Sequence, residues 1–301
     1  MTRQPASPAL EGGRPAIGVI GIGRLGASLA LALEAAGHRI EALASLRGDS
    51  ARALACRIEG ATAVDAPTLV GACDLVFLAV PDGAVAPLVQ ALLWRRGQSA
   101  VHCSGALGLD ALEAARRGGV EVGCLHPLQS FSDPLGDPAR FRGVVCGIEA
   151  HEPLGARLEA LAASLGARSL RLEGADRALY HAAAVFASND VVALVQAARQ
   201  TWAAAGLPAA EAVPALLPLL RGAVDNIEAS SSLEAALTGP VARGDVETVR
   251  RHLAALEAWP DLEALYLELA RALLRLPLDL PPARREALSA LLFEADTEAR
   301  S

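Results

Sequence analysis

The chain has 301 residues, 52% of them hydrophobic and 20% charged, and a formal net charge of −7. That length supports two domains with separate cores, and the acidic balance argues against a nucleic-acid partner. No run of about 18 uninterrupted apolar residues offers itself as a membrane span. All 27 basic side chains are arginine, which excludes a lysine general acid, a Schiff base and a P-loop lysine.

Residues 1–15, rich in Pro, Gly and Ser, read as a flexible leader without the apolar core of a signal peptide. The apolar run from Ala16 to Ile20 then leads into Gly21-Ile22-Gly23-Arg24-Leu25-Gly26. A strand ending in that pattern builds a dinucleotide pyrophosphate site: the first glycine permits the turn, the second lets backbone approach the phosphates, the third lets the helix pack closely. The helix N-terminus supplies N–H groups and partial positive charge for the anion. The pattern alone is weak in a chain with 27 glycines. Its flanks strengthen it, because Ala27 to Ala36 reads as an apolar helix closed by Gly37, and His38 to Ser45 as a second strand.

In this fold the residue ending the second strand meets the adenosine ribose, and an acidic side chain there favours NAD. Here the segment is Ala44-Ser45-Leu46-Arg47. Ser45 and Arg47 suit a 2′-phosphate, so NADP is expected; a strand end misplaced by a few residues would bring Asp49 into play and favour NAD. Asp74 to Val80 predicts a buried strand whose end, Val80-Pro81, faces the cofactor crevice, with Asp82 as cap of the next helix, Val85 to Trp94. Strands over Ser99 to Cys103, Val120 to Leu125, Val144 to Ile148 and Ser169 to Leu172 alternate with helices over Leu109 to Arg117 and Pro153 to Leu165. This is the pattern of a doubly wound, mostly parallel sheet.

From Asp176 the texture becomes helical, with one long helix to Ala205 closed by Gly206, then helices over Pro214 to Glu228, Val246 to Ala258 and Leu262 to Leu276. The expected architecture is an α/β Rossmann domain, 16–175, followed by an all-α domain, 176–301. Five cysteines without a C-x-x-C pair suit reduced thiols and a cytoplasmic location.

Two polar clusters follow strands on the ligand-binding edge: His102-Cys103-Ser104-Gly105 and His126-Pro127-Leu128-Gln129-Ser130-Phe131. A histidine and a hydroxyl there can relay a proton to a carbonyl oxygen or imine nitrogen during hydride transfer. Equally, each histidine can satisfy a buried carbonyl. On the long helix, His181, Ser188 and Asn189 share one face among apolar neighbours, and need partners from a ligand or from other helices. In the turn-rich Thr238 to Asp245 segment, Asp245 caps the next helix, and Arg243 is either a clamp for a carboxylate or a surface arginine. His102, His126 and His181 lack the spacing of a metal site, and no metal is expected.

Together Gly21 to Gly26, Ala79-Val80-Pro81-Asp82, His102 to Gly105, His126 to Phe131, Tyr180-His181-Ala182-Ala183-Ala184, Leu237-Thr238-Gly239-Pro240 and Arg243-Gly244-Asp245 carry a resemblance. From Ile17 to about Leu276 the chain resembles Rossmann-like proteins with a helical domain catalogued as DUF2520. These are related in fold to pyrroline-5-carboxylate reductases, 6-phosphogluconate dehydrogenases and coenzyme-F420-dependent NADP oxidoreductases. The resemblance implies NADP-linked reduction and dimers through the helical halves; some similar proteins look like alternative ketopantoate reductases. In several relatives a lysine on the first long helix of the second domain donates the proton. This chain has none, and His181 lies in the comparable region.

The sequence therefore predicts an NADPH-dependent reductase of a small, carboxylate-bearing carbonyl or imine. His126, His181 and Ser104 are the expected catalytic residues; His102, Gln129, Asn189 and Arg243 are expected to bind substrate. Gly21, Ile22, Gly23, Arg24, Leu25, Gly26, Ser45, Arg47, Val80 and Pro81 are expected to bind NADP. The alternative is a nucleotide-binding sensor without turnover.

Overall fold

The computed structural model describes residues 15–298, with side chains through Phe293, so the expected leader lies, but for Pro15, outside the described residues. Contacts divide the chain into two units, one running to Ser188 and one from Asn189. The sequence boundary at 175/176 falls one helix earlier, because Arg177–Phe186 packs its polar side chains on the sheet of the first unit.

The first unit holds an eight-stranded sheet, β1 (Ile17–Ile20), β2 (Ile40–Ala44), β3 (Thr62–Ala63), β4 (Leu75–Leu78), β5 (Ser99–His102), β6 (Glu121–Pro127), β7 (Val145–Ala150) and β8 (Arg168–Arg171), in the order 3-2-1-4-5-6-7-8. The first six follow the doubly wound order with its switch point between β1 and β4, where ligands bind. Pairing is parallel except between β6 and β7. The helices of this unit are α1 (Arg24–Ala35), α2 (Asp49–Ala55), α3 (Ala66–Ala72), α4 (Asp82–Ala91), α5 (Glu113–Arg117), α6 (Leu154–Ser164) and α7 (Arg177–Phe186).

Alternation along the strands gives each face its own core. Ile17 and Val19 of β1, with Leu75 and Phe77 of β4, pack with α1 and α6. Ile20, Val76 and Leu78 pack with α3 and α4 on the other face. Such two-sided burial explains why these strands read as near-continuous apolar runs.

Three elements of this unit escape the sequence reading: α2, β3 and α3 are short and carry too few apolar residues for a clear period. β6 runs through His126 and Pro127 instead of stopping before them, because β7 returns antiparallel beside it and pairs His126 with Gly147 and Pro127 with Cys146.

The second unit is helical: α8 (Asn189–Ala204), α9 (Ala209–Ala229), α10 (Leu233–Ala236), α11 (Pro240–Arg243), α12 (Val246–Leu256), α13 (Pro260–Leu274) and α14 (Pro282–Glu298). Val241, Val249, Leu253, Leu274, Leu288 and Leu292 form its core. Asp245 caps α12 as expected, accepting from the Thr248 amide at 3.1 Å. The predicted long helix is present as a helical run from Arg177 to Ala204 that is interrupted at Ala187 and Ser188. There the Ser188 amide bonds to Val185 in a tightened turn and its hydroxyl donates to the Ala184 carbonyl at 2.6 Å. Such back-bonding competes with the helical ladder, and His181, Ser188 and Asn189 consequently do not form one continuous helical stripe.

The segment between β6 and β7 is tied to α1 through Ser28, a buried residue whose hydroxyl accepts from the Asp137 amide at 2.9 Å and donates to the Arg24 carbonyl at 2.7 Å. Ser28→Ala leaves that amide without its partner. It is expected to lower the unfolding free energy by about 1–3 kcal/mol, read from urea denaturation at unchanged slope.

Candidate functional site

The C-terminal ends of β1, β4, β5 and β6 open on one edge of the sheet, and a cavity of about 240 Å³ lies there. It is lined by Leu25, Ala79, Val80, Asp82, Cys103, Ser104, Gly105, His126, Pro127, Gln129, Phe131 and His181. The structure thus brings together His126, His181, Ser104 and Gln129, with Leu25 and Val80 from the dinucleotide side. A larger hollow of about 550 Å³ in the second unit, bounded by Gln200, Trp259 and Asp261 among others, carries one carboxylate and no imidazole.

The glycine turn has the form its pattern demands. Gly21 has φ of 99°, and a methyl group on it would lie 2.5 Å from the Ala79 carbonyl oxygen; one on Gly26 would collide with the carbonyl of Gly21. Gly23 faces open space and stands as N-cap of α1, which no side chain caps. That is a cradle into which a diphosphate fits, with backbone N–H groups at a helix start. Arg24 is exposed, whereas Ile22 is buried and braces the turn from the core side. At the end of β2, Ser45 accepts from the Ala51 amide at 3.2 Å. Arg47 is exposed beyond it, and the exposed Arg52 pairs with Asp49 at 2.5 Å. Asp49 is thus engaged by a cation. Pro81 is exposed and serves as N-cap of α4, so Asp82, expected to be that cap, instead lines the cavity.

The two imidazoles converge on Gly105. A methyl group there would lie 2.6 Å from His181 Nδ1 and 2.8 and 2.9 Å from His126 Cε1 and Nε2. The two rings stand edge to face with centroids 6.0 Å apart. No side chain larger than hydrogen fits between them.

His181 Nδ1 is buried without a hydrogen-bond partner. His126 Nδ1 is 2.9 Å from the Tyr180 hydroxyl. Ser104 Oγ accepts from the amides of Ala106 and Leu107, each at 3.1 Å, which uses its lone pairs on the turn and leaves its proton to be donated.

His102, expected to bind substrate, is fully buried and does not line the cavity; its Nδ1 accepts from the Ser104 amide at 3.2 Å. It serves the core because it pairs inside the ladder, with Leu78 and Cys124 as neighbours. Asn189 and Arg243 belong to the second unit. Asn189 is exposed at the start of α8, and Arg243 is exposed at the end of α11, where its carbonyl accepts from Arg284 at 3.0 Å.

Two residues of this cluster escaped the sequence reading as site residues, Tyr180 and Arg177. Their signal was present: Arg177, Tyr180 and His181 are spaced i, i+3 and i+4, which places all three along one stripe of α7.

Electrostatics divides the groups. Burial, reinforced by the neighbouring His181 and by the Arg177 guanidinium, lowers His126 from 6.5 to about 4. Burial and Arg177 lower His102 likewise to about 4. Burial pushes the Tyr180 phenol up to about 12. The Cys103 thiol, although it lines the cavity, is pushed well up by burial, which argues against a thiolate nucleophile. Among the described residues no three His, Cys, Asp or Glu side chains group as metal ligands.

Two family models match this chain, a Rossmann-like domain over residues 1–127 and a domain of unknown function, DUF2520, over residues 144–273. The chain is therefore a Rossmann-like domain followed by a DUF2520 domain. Among solved structures it is similar to a protein described as an NADP oxidoreductase from Bacteroides fragilis, at 29% identity over 86% of this chain and 97% of that one, with a TM-score of 0.70. A Thermotoga maritima protein is 28% identical over 92% and 99% of the two chains, with a TM-score of 0.67. The 1-pyrroline-5-carboxylate reductase of Streptococcus pyogenes shares the fold at 16% identity, over 86% and 98% of the chains and a TM-score of 0.61. No curated protein matches the chain.

His102 and His126 bind protons less readily in the folded chain than in the unfolded one. Between 6.5 and about 4 the unfolded state therefore holds more protons, and stability falls as pH drops through that window. Urea unfolding is expected to show this loss from neutral pH into the window. Asparagine at both positions is expected to shrink it; an unchanged slope would count against the buried neutral imidazoles.

Proposed function

We propose that this chain is an NADPH-dependent oxidoreductase that reduces a small carbonyl or imine. The observation that carries the reading is the cavity at the switch point, where Leu25 and Val80 of the dinucleotide side meet His126 and His181 around Gly105. The NADP oxidoreductase among the neighbours supports oxidoreduction with NADP in general. Ser45 and Arg47 favour the 2′-phosphate form, since Asp49 is paired with Arg52.

The cofactor, when bound, supplies the hydride; the chain's own side chains hold the substrate and handle the proton. His126 is neutral at physiological pH. With Tyr180, also neutral, donating to Nδ1, the ring proton of His126 sits on Nε2 and is offered as a hydrogen bond to the carbonyl oxygen or imine nitrogen. His181 supplies the proton that the reduced oxygen or nitrogen takes up, and is reloaded from solvent. Ser104 donates its hydroxyl proton, and Gln129 orients the reacting group from the cavity rim. Arg243, a bidentate partner for a carboxylate by its chemistry, and Asn189 are proposed as substrate-binding residues on residue type alone.

The test is near-ultraviolet absorbance of NADPH over a panel of 2-oxo acids, aldehydes and cyclic imines. Oxidation by at least one class is expected. His181→Ala is expected to lower kcat by about 10²–10⁴-fold with NADPH affinity unchanged by fluorescence titration. Silence across the panel in a protein that binds NADPH would instead favour a sensor.

The helical unit pairs, in this reading, with a second copy. The run from Arg177 to Ala204 has an apolar window of mean hydropathy 1.4 with none of it buried, long enough by composition to cross a membrane. Arg177, Tyr180 and His181 at the start of that run bond to or line the cavity of the sheet unit, which supports the reading of the run as part of a globular protein and its apolar surface as a protein contact. Val192 and Leu219, each 72% exposed, and Ile227, 52% exposed, mark that surface on α8 and α9. A cytoplasmic location goes with it, given the buried free thiols. Light scattering at micromolar concentration is expected to give twice the chain mass of 30.9 kDa. A monomer would remove the pairing.

A further inference from the structure

Arg177 begins α7, yet its side chain is only 10% exposed. Its Nη2 donates to the Ser104 carbonyl at 2.8 Å and lies 3.1 Å from Cys124 Sγ, and the guanidinium stands 5.4 Å from the centre of the Tyr180 ring. The nearest carboxylate, Glu149 on β7, is 3.9 Å from Nη1 and makes no hydrogen bond with it: Nη1, Nε and Glu149 Oε2 are all buried without hydrogen-bond partners. A cation in such a place is costly unless it is closely paired, and this one is only loosely offset. It bonds instead to the turn that carries Gly105 between the imidazoles.

We propose that Arg177 is the positioning residue of this site, a buried and incompletely neutralised cation that pins the Ser104–Gly105 turn between His126 and His181 and sets the field that acts on both rings. The inference rests on the reading of those two imidazoles as the proton-handling pair.

The groups facing His126 are Arg177, Tyr180 and His181 from α7, His102 from β5 and Asp82 from α4. Arg177 and the two neighbouring imidazoles oppose its protonation and Asp82 favours it. Arg177 is the one that keeps its charge at every accessible pH. At low effective dielectric it acts on His126 and His102 without touching either. Were it tightly paired with Glu149, that field would be largely cancelled. The open ion pair therefore has a consequence: the guanidinium's field reaches His126 and keeps its ring neutral. Through the Ser104 carbonyl the same guanidinium fixes the backbone against which both rings rest.

The test uses imidazole nitrogen NMR titration of the full chain without substrate, so it reads the proposal independently of turnover. Wild-type His126 is expected to titrate near the low value of about 4. Arg177→Met is expected to move its midpoint upward towards 6.5, the value of a free imidazole, and to shift the Gly105 amide resonance. Arg177→Lys, which keeps the charge on a single head group, is expected to hold the midpoint low while still shifting the Gly105 amide. If Arg177→Met alone fails to fold because the buried Glu149 Oε2 is left without its cation, the double variant with Glu149→Gln relieves it and serves the same purpose. A folded double variant with the wild-type His126 midpoint would overturn the field, and an unmoved Gly105 amide would overturn the pin. A chain that oxidises no NADPH but shows both shifts would sink the reductase reading and leave the placement of Arg177 standing.

Discussion

The site depends on a single row of the sheet ladder. Ala44, Ile20, Leu78, His102, Cys124 and Glu149 stand side by side across β2, β1, β4, β5, β6 and β7. Just past this row on five of the strands lie Ser45, the Gly21 turn, Ala79, the Cys103–Gly105 turn and His126. The hydrogen bonds from Gly21 to Ala44, Ala79 to Ile20 and Cys103 to Leu78 continue the ladder past the strand ends and hold these turns at one level. A shift of one residue in any strand would turn each of its side chains to the other face and break that level.

The row also explains the unequal fates of the histidines. His102 stands in it and is absorbed into the core; His126 stands two residues beyond Cys124 and emerges at the edge. The antiparallel return of β7 extends β6 far enough to hold His126 and Pro127 in extended backbone. The imidazole is thus carried by sheet and not by a loose loop, which suits a group that must be held close to its working geometry. Arg177 reaches the same place from α7, and Glu149, the last member of the row, is the carboxylate that only partly offsets it.

Much of the sheet was legible because buried parallel strands are apolar on both faces and bounded by turn residues, as in Ile17–Ile20 and Leu75–Leu78. The glycine turn was legible because a close backbone approach admits no other residue type. The short α2 and α3 were not, since seven-residue helices give too little periodicity. The break at Ala187–Ser188 was hidden as well, because alanine-rich sequence is compatible with an unbroken helix and the break lies where one unit gives way to the next. In the candidate site, the polar clusters after β5 and β6 were visible as clusters, while the division of labour among them was not.

The sequence by itself determined the class of ligand site, the order of the longer strands and helices, the absence of lysine chemistry and the presence of several imidazoles. Those follow from local rules: glycine where backbone must pass closely, apolar runs where strands are covered, and residue types that are simply present or missing. Only the tertiary structure decided that His102 is core, that Asp82 faces the cavity instead of capping α4, and that Arg177 and Tyr180 join the imidazoles around Gly105. Those outcomes rest on register between strands distant in sequence and on burial, which sets the cost of each charge; neither is a property of the residues taken in order.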